Sequence, residues 1–323
     1  MLKYIFLFTA LFLFPLFTNA KKLDSLKHAQ HKEFFLHWDN DVFLFSDYYY
    51  TQGAFLYLVN PILRKNPLNH VFLKPKNADN YFGIGLIQEM FTPKDIIDTL
   101  LNSIDRPYAG TLFLRSFMVS SNPDKRFRLT SQFDLGLIGP LSGASQAQRL
   151  IHEWTGSKPP EGWDFQIDNR PYINYNVIVE KEFWSIPERL DFCVSSRMRI
   201  GNIHDDLNAG IKLRVGELND YFKGLNLANK KYIENKDFQF FLFGGASLTG
   251  VFYNATLMGG MIPPESSHQF EFRDIEHFVV EFKGGAQIIY KSVSIKGTIT
   301  WKTQEFQYGE SHGWGTISLY FRL

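Results

Sequence analysis

With a single cysteine, Cys193, the chain cannot form an internal disulfide, which excludes a small disulfide-stapled secreted fold. It also lacks an excess of either charge. Lys and Arg total 34, Asp and Glu 33, a formal net charge of +1. Nucleic acid is held through strongly basic faces, so this balance gives no reason to expect it as a partner. Beyond residue 20 there is no apolar run of about 18 residues, so no transmembrane helix is expected there. Internal repeats, low-complexity tracts and linkers are missing too, which points to one domain over 21–323. No G-x-S-x-G stands anywhere, so the serine nucleophile elbow is absent.

Aromatic residues, by contrast, are plentiful: 32 Phe, 15 Tyr and 6 Trp among 323 residues. They favour strands and membrane interfaces. Residues 1–20, MLKYIFLFTALFLFPLFTNA, carry one Lys, an apolar run and a small-residue end. They are expected to be a secretory signal peptide cleaved after Ala20, in preference to an anchor, which Pro15 and the short run disfavour.

From there alternation takes over. In 207–216, Leu207, Ala209, Ile211, Leu213 and Val215 oppose Asn208, Gly210, Lys212, Arg214 and Gly216. Segments 127–138 and 190–201 behave alike, and period two makes all three strands. A soluble sandwich shares this period. These segments, however, run to a dozen residues where sandwich strands average about five or six. Their polar faces mix Arg, Asp, Gln and Gly, which suits a wet barrel lumen. Strands are expected at 33–43, 48–59, 80–91, 109–120, 127–138, 172–184, 189–201, 206–216, 237–250, 275–289, 293–306 and 313–323. The fold class is therefore all-β, a twelve-stranded antiparallel transmembrane β-barrel, with an even strand number as bacterial barrels have. Arg128, Asp134, Arg197, Arg199, Lys212 and Arg214 fall on lumen faces, enough ion pairs to leave little room for conductance.

One connection differs. In SQAQRLIHEWTGSKPPEGW (145–163), Ala147, Leu150, Ile151 and Trp154 sit at i, i+3, i+4 and i+7, a helical stripe that must lie on the barrel rim or on lipid. Gly156 ends the helix, and Ser145 is expected as its N-cap. With a periplasmic N-terminus, this long loop faces the cell exterior. His152, at the edge of the stripe, shares that end with Asp39, Asn40, Asp41, Thr51, Gln88, Glu89, Asp105 and Arg106. Position alone leaves a site and an ordinary polar rim both open.

The blocks DNDVF and YYYTQG (39–53), QEMFTP (88–93), DRPYAG (105–110), GLIGPLSG (136–143) and IHEWTGSKPPEGWDFQIDNRPY (151–172), in that order, resemble the outer-membrane lipid A 3′-O-deacylase family over nearly the whole mature chain. The resemblance implies a twelve-stranded barrel in the outer membrane of a Gram-negative bacterium. It implies an active site between the outer barrel wall and a loop helix, hydrolysing the 3′-linked acyloxyacyl ester of lipid A with Ca²⁺. Its Asn-Asp pair falls on Asn40 and Asp41, its strand-two hydroxyl on Thr51 and its loop-helix histidine on His152. Asp41 is then the metal ligand, and Gln88, Arg106 and Trp154 are candidate substrate contacts. The family also uses a lysine after strand three; Lys94 is the nearest candidate and is displaced from that position. Lipid A, or lipopolysaccharide, is the implied partner, and no protein partner is implied. His152 would deprotonate water, since neutral imidazole suits that task near pH 7. Rival readings are a barrel phospholipase-type esterase using serine, a porin, and an adhesin or structural barrel.

Overall fold

The computed structural model describes residues 31–44, 46, 48–96, 105–227, 236–260 and 269–323; the expected signal peptide lies outside them. Twelve strands follow one another, each antiparallel to the next: β1 (Glu33–Asn40), β2 (Tyr49–Val59), β3 (Asp79–Thr92), β4 (Ala109–Asn122), β5 (Phe127–Ile138), β6 (Arg170–Ile186), β7 (Leu190–Gly201), β8 (His204–Glu217), β9 (Phe238–Asn254), β10 (Phe278–Tyr290), β11 (Val293–Lys302) and β12 (His312–Arg322). β1 pairs with β12 from Glu33↔Arg322 to Asn40↔Gly315, which closes the barrel and leaves no edge strand. Among the described residues no helix is long and apolar enough to cross a membrane, so crossing falls to the strands.

Alternation sets the two faces. Trp38, Leu56, Leu86, Leu114 and Leu135 are all exposed and form an apolar band on the outer wall. The intervening residues point inward and pair. Arg115 holds Asp134 at 2.7 Å, Lys212 holds Glu180 at 2.5 Å, Arg214 holds Asp191 at 3.0 Å, and Arg199 holds Asp206. Above these pairs, Tyr50, Phe91, Phe113, Tyr172 and Trp314 pack across the lumen. The aromatic layer thus blocks the lumen, so the inward faces do not line an open pore.

Most strand ends fall within two residues of the expected ones; four depart further, all at the outer end, among them β9, which runs on to Asn254 instead of 250. β1 stops at Asn40, not at 43. The Asn40 side-chain oxygen accepts from the Val42 amide at 2.9 Å, starting a 3₁₀ turn over Asp41–Leu44. β11 stops at Lys302 instead of 306, and β10 begins at Phe278 instead of 275. Beyond those ends a single bridge, Ile275↔Phe306, continues the pairing. The chain leaves the ladder there because Glu305 turns inward to Arg106 at 3.0 Å.

The long β5–β6 connection holds one α-helix of 12 residues, α1 (Ala144–Thr155). Gly156 ends it in the left-handed conformation, φ 72°, as expected. The N-cap is Gly143, φ 71°, not Ser145, which lies inside the first turn. The helix starts early because Pro140–Ser142 already forms a 3₁₀ turn that delivers the chain to it.

Candidate active site

The outer-end residues singled out in the sequence divide between the two faces of the wall. Asp39 and Glu89 point into the lumen, where Tyr50 donates to Asp39 at 2.8 Å and Thr111 to Glu89 at 3.4 Å. Asn40 shares parity with the exposed Trp38 and so belongs to the outer face. In register, Asn40 pairs with Gln52, Gln52 with Met90, and Met90 with Gly110. A β-bulge falls between Tyr50 and Gln52. The extra residue is Thr51, and its hydroxyl meets that of Thr92 at 2.7 Å. Both threonines are buried. Asn40, Thr51, Gln52 and Thr92 therefore form a polar patch on the outer wall, just above the apolar band.

The foot of α1 stands on the same face. A Cβ on Gly110 would lie 2.3 Å from Ser142 Oγ and 2.4 Å from Ala144 Cβ. Glycine at 110 is what lets the helix approach β4 this closely. Gln88 donates to the Ser142 carbonyl at 2.6 Å. Met90, Tyr108, Ala144 and Trp163 pack together beneath the first turns, and Trp163 Nε1 donates to Gln148 Oε1 at 2.7 Å.

The buried face of α1 is Ala144, Gln148 and His152, spaced i, i+4, i+8. It is not the apolar stripe expected from the sequence. Ala147 and Ile151 sit at the seam, whereas Leu150 and Trp154 point away, Trp154 at 91% exposure. The stripe was expected to lie on the barrel rim or on lipid, and it divides: one half meets the barrel and the other faces its surroundings. His152 is buried, about 12 Å up the helix from Ala144 at 1.5 Å per residue. Its Nδ1 lies 2.5 Å from the Lys158 carbonyl oxygen. A carbonyl can only accept, so Nδ1 carries the hydrogen and the lone pair of the neutral ring is on Nε2.

On the opposite flank, Phe43 of the Asp41–Leu44 turn folds back onto the outer wall. Its ring packs on Trp38 at 5.4 Å, and a Cβ on Gly315 would lie 2.6 Å from Phe43 Cβ. From Gly315 on β12 to Gly110 on β4 the wall spans four strand spacings, about 19 Å. The patch is thus the floor of a shelf flanked by the Phe43 turn and by α1. Asp41 is buried where the first turn begins, and its Oδ2 accepts from the Tyr48 amide at 2.7 Å.

Two expected substrate contacts are placed differently. Arg106 is only 1% exposed; it reaches inward to Glu305 and, at 2.6 Å, to Thr256, and lies 4.4 Å over Phe91. Its role is to tie three outer connections across the barrel mouth, because every direction its head can take is filled by protein. Gln88 spends its amide on the Ser142 carbonyl and so anchors the loop. Lys94 is exposed and pairs with Glu310. Among the described residues no group of three or more His, Cys, Asp and Glu side chains converges as a metal site. Gln52, Thr92 and Gln148 belong to the site region, and the sequence reading missed all three. The signal for Gln148 was a polar residue one helical turn before His152; for Gln52 and Thr92 it was hidden by the bulge, which alternation cannot reveal.

Comparison with solved structures gives LpxR from Salmonella typhimurium, 20% identical, covering 90% of this chain and 99% of that one with a TM-score of 0.72. At that identity the likeness concerns the fold. The β-domain of the Bordetella autotransporter BrkA (9% identical, 91% and 98% covered, TM-score 0.44) and the translocator domain of the autotransporter NalP from Neisseria meningitidis (9%, 91% and 87%, TM-score 0.42) are also similar, only as barrels. No curated protein matches the chain. The model of the family described as "Outer membrane protein LpxR" matches residues 5–323. A closed outer-membrane barrel carrying a loop helix on its outer wall thus agrees with the sequence match, and the chain belongs to the outer membrane protein LpxR family.

Proposed function

We propose that this protein is a lipid A 3′-O-deacylase of the outer leaflet, a calcium-dependent ester hydrolase that uses His152 to activate water. The observation that carries the reading is the position of the polar patch: it lies on the lipid side of the wall, beside the helix whose buried face bears His152. An ester held in the leaflet can meet such a site without entering the barrel. Membership of the LpxR family supports the same conclusion.

In this mechanism the Lys158 carbonyl fixes the His152 tautomer, and Nε2 takes a proton from water. The resulting hydroxide attacks the ester carbonyl carbon, and the tetrahedral intermediate collapses with loss of the sugar alkoxide. The imidazolium returns its proton to that alkoxide, leaving a free fatty acid and a hydroxyl. A base of this kind is worth roughly 10²–10⁴ in rate. Asp41, Asn40 and Thr51 offer a carboxylate, an amide and a hydroxyl, an oxygen-only set that fits a hard cation. Calcium bound there would polarise the ester carbonyl. Thr51, held by Thr92, orients its hydroxyl toward that shell or toward the developing oxyanion. With one carboxylate the calcium affinity belongs at the weak end, on the order of 10⁻⁴ M or weaker. Trp154 and Leu150 would rest among acyl chains at the free edge of α1.

Mass spectrometry of lipid A from cells producing the wild type and His152→Ala tests the proposal. The wild type should remove the 3′-linked acyloxyacyl group, and the variant should leave lipid A intact. Chelation of calcium should stop the wild type, and a serine-directed phosphonate should not. Deacylation by His152→Ala, or phosphonate inhibition with indifference to chelator, would overturn it.

A further inference from the structure

The inner half of the lumen holds a cavity of about 460 Å³ that the surface site does not use. Six cations line it: Arg128, Arg197, Lys212, Arg214, Lys283 and Lys296. Among the described residues four carboxylates pair with them, and a fifth, Asp220, lines the cavity while paired with Arg126. Lys212 pairs with Glu180 at 2.5 Å, Lys283 with Glu281 at 3.0 Å, Arg214 with Asp191 at 3.0 Å, and Arg197 with Asp206 at 3.4 Å. Asp206 is shared with Arg199, which deepens the deficit.

Among the described residues, two of these cations have no carboxylate bonded to them. Lys296 has its ammonium 4.3 Å over the Phe243 ring. Arg128 is 5% exposed; one of its nitrogens donates to the backbone carbonyls of Tyr221 and Gly224, the latter at 2.8 Å, and its Nε has no hydrogen-bond partner. Cations surrounded by low-dielectric protein and left short of anions raise the free energy until a counter-charge enters.

We infer that this cavity is a binding site for a small multivalent oxyanion of the phosphate class. The register supports that class. Lys283 pairs with Gly245, and Gly245 pairs with Lys212, so a residue without a side chain separates the two lysines. Their Cα atoms stand two strand spacings apart, about 10 Å. Phe243, which carries Lys296, lies two residues before Gly245 and on the same face. Three flexible ammonium groups thus line an open space that the buried guanidinium of Arg128 backs. Donors that diverge in this way are met by several acceptor oxygens on one centre, whereas chloride presents a single charge with no directional fit. The side chains of Lys212 and Lys283 are each 50% exposed, so water and solutes reach them from within the lumen.

The test uses the full mature chain in detergent. Thermal unfolding is followed against inorganic phosphate at constant ionic strength, maintained with sodium chloride. The wild type should show a saturable rise in Tm, and Lys296→Met should weaken the apparent affinity at least tenfold. Crystals soaked in selenate should give an anomalous peak bounded by Lys296 and Arg128, a readout that needs no variant to fold. A phosphate response that chloride reproduces, equal responses in wild type and Lys296→Met, or a cavity with no peak at saturating selenate would each overturn the inference. Deacylation plays no part in these readouts, so the inference stands or falls apart from the proposed activity.

Discussion

At the scale of single residues, the least visible contact is the pair of hydroxyls at Thr51 and Thr92. The candidate hydroxyl of Thr51 is buried and bonded to a second threonine 2.7 Å away, from the end of β3. If Thr92 sets the orientation of Thr51, removing its hydroxyl while keeping its shape should lower kcat more than it raises KM. Thr92→Val is expected to lose about tenfold in deacylation, a net hydrogen bond of roughly 1 kcal/mol plus the stranded partner. Thr92→Ser should recover most of it. Equal rates for the two variants would show that Thr92 only packs. Asn40, Asp41, Thr51 and His152 could be named from the sequence through their motif blocks. Their surroundings could not be, because Gln52 and Thr92 are brought to one face by a bulge, and a bulge leaves no trace in a period-two pattern. Arg106 misled for a related reason: an arginine in a polar outer loop reads as a surface contact until its burial against Glu305 and Thr256 is seen.

At the scale of elements, every strand was legible, since each half-buried β segment carries its own alternation. Their ends were less so wherever a side chain such as Asn40 or Glu305 takes over from the ladder. The helix was legible in place and extent, and its apolar stripe divides between the two expected supports, the barrel wall and the lipid side. In water an apolar stripe faces protein; beside a bilayer the preference is reversed or divided, and Leu150 and Trp154 can point outward. The polar Gln148 and His152 turn inward because Trp163 and the Lys158 carbonyl await them. The helix depends on its foothold at Gly110. Gly110→Val should push α1 off β4 and remove at least 90% of the activity. The barrel itself should persist, as judged by its shifted migration on unheated gels. Retained activity in a folded variant would show that the close approach is dispensable.

At the scale of the whole molecule, the closed sheet, the paired lumen charges and the Arg106 strut together describe a plugged cylinder. Planar-bilayer recording should therefore find no large steady conductance; a stable open channel would contradict the packing across the lumen. The strut also predicts a response to acid. Burial alone would raise the Glu305 carboxyl, but Lys302, Arg106 and His312 outweigh it and hold the group well below the usual carboxylate range. A carboxyl lowered in the folded state contributes stability that is complete above its unfolded value of about 4.3 and is lost progressively as pH falls from there through the folded value. Protection of the outer loops from proteolysis should thus persist at pH 4. Glu305→Gln should lose that protection already at neutral pH, leaving Arg106 buried without its counter-charge.

The shelf between the Phe43 turn and α1 lies on the outer wall of the barrel rather than in its lumen. Its encounters with lipid are then collisions in two dimensions, governed by how many molecules lie in each unit of area and how fast they drift laterally. Diluting lipid A with inert amphiphile inside a micelle should slow the protein in proportion to the fall in lipid A per unit area, while adding more micelles of fixed composition should change little once all of the protein is embedded.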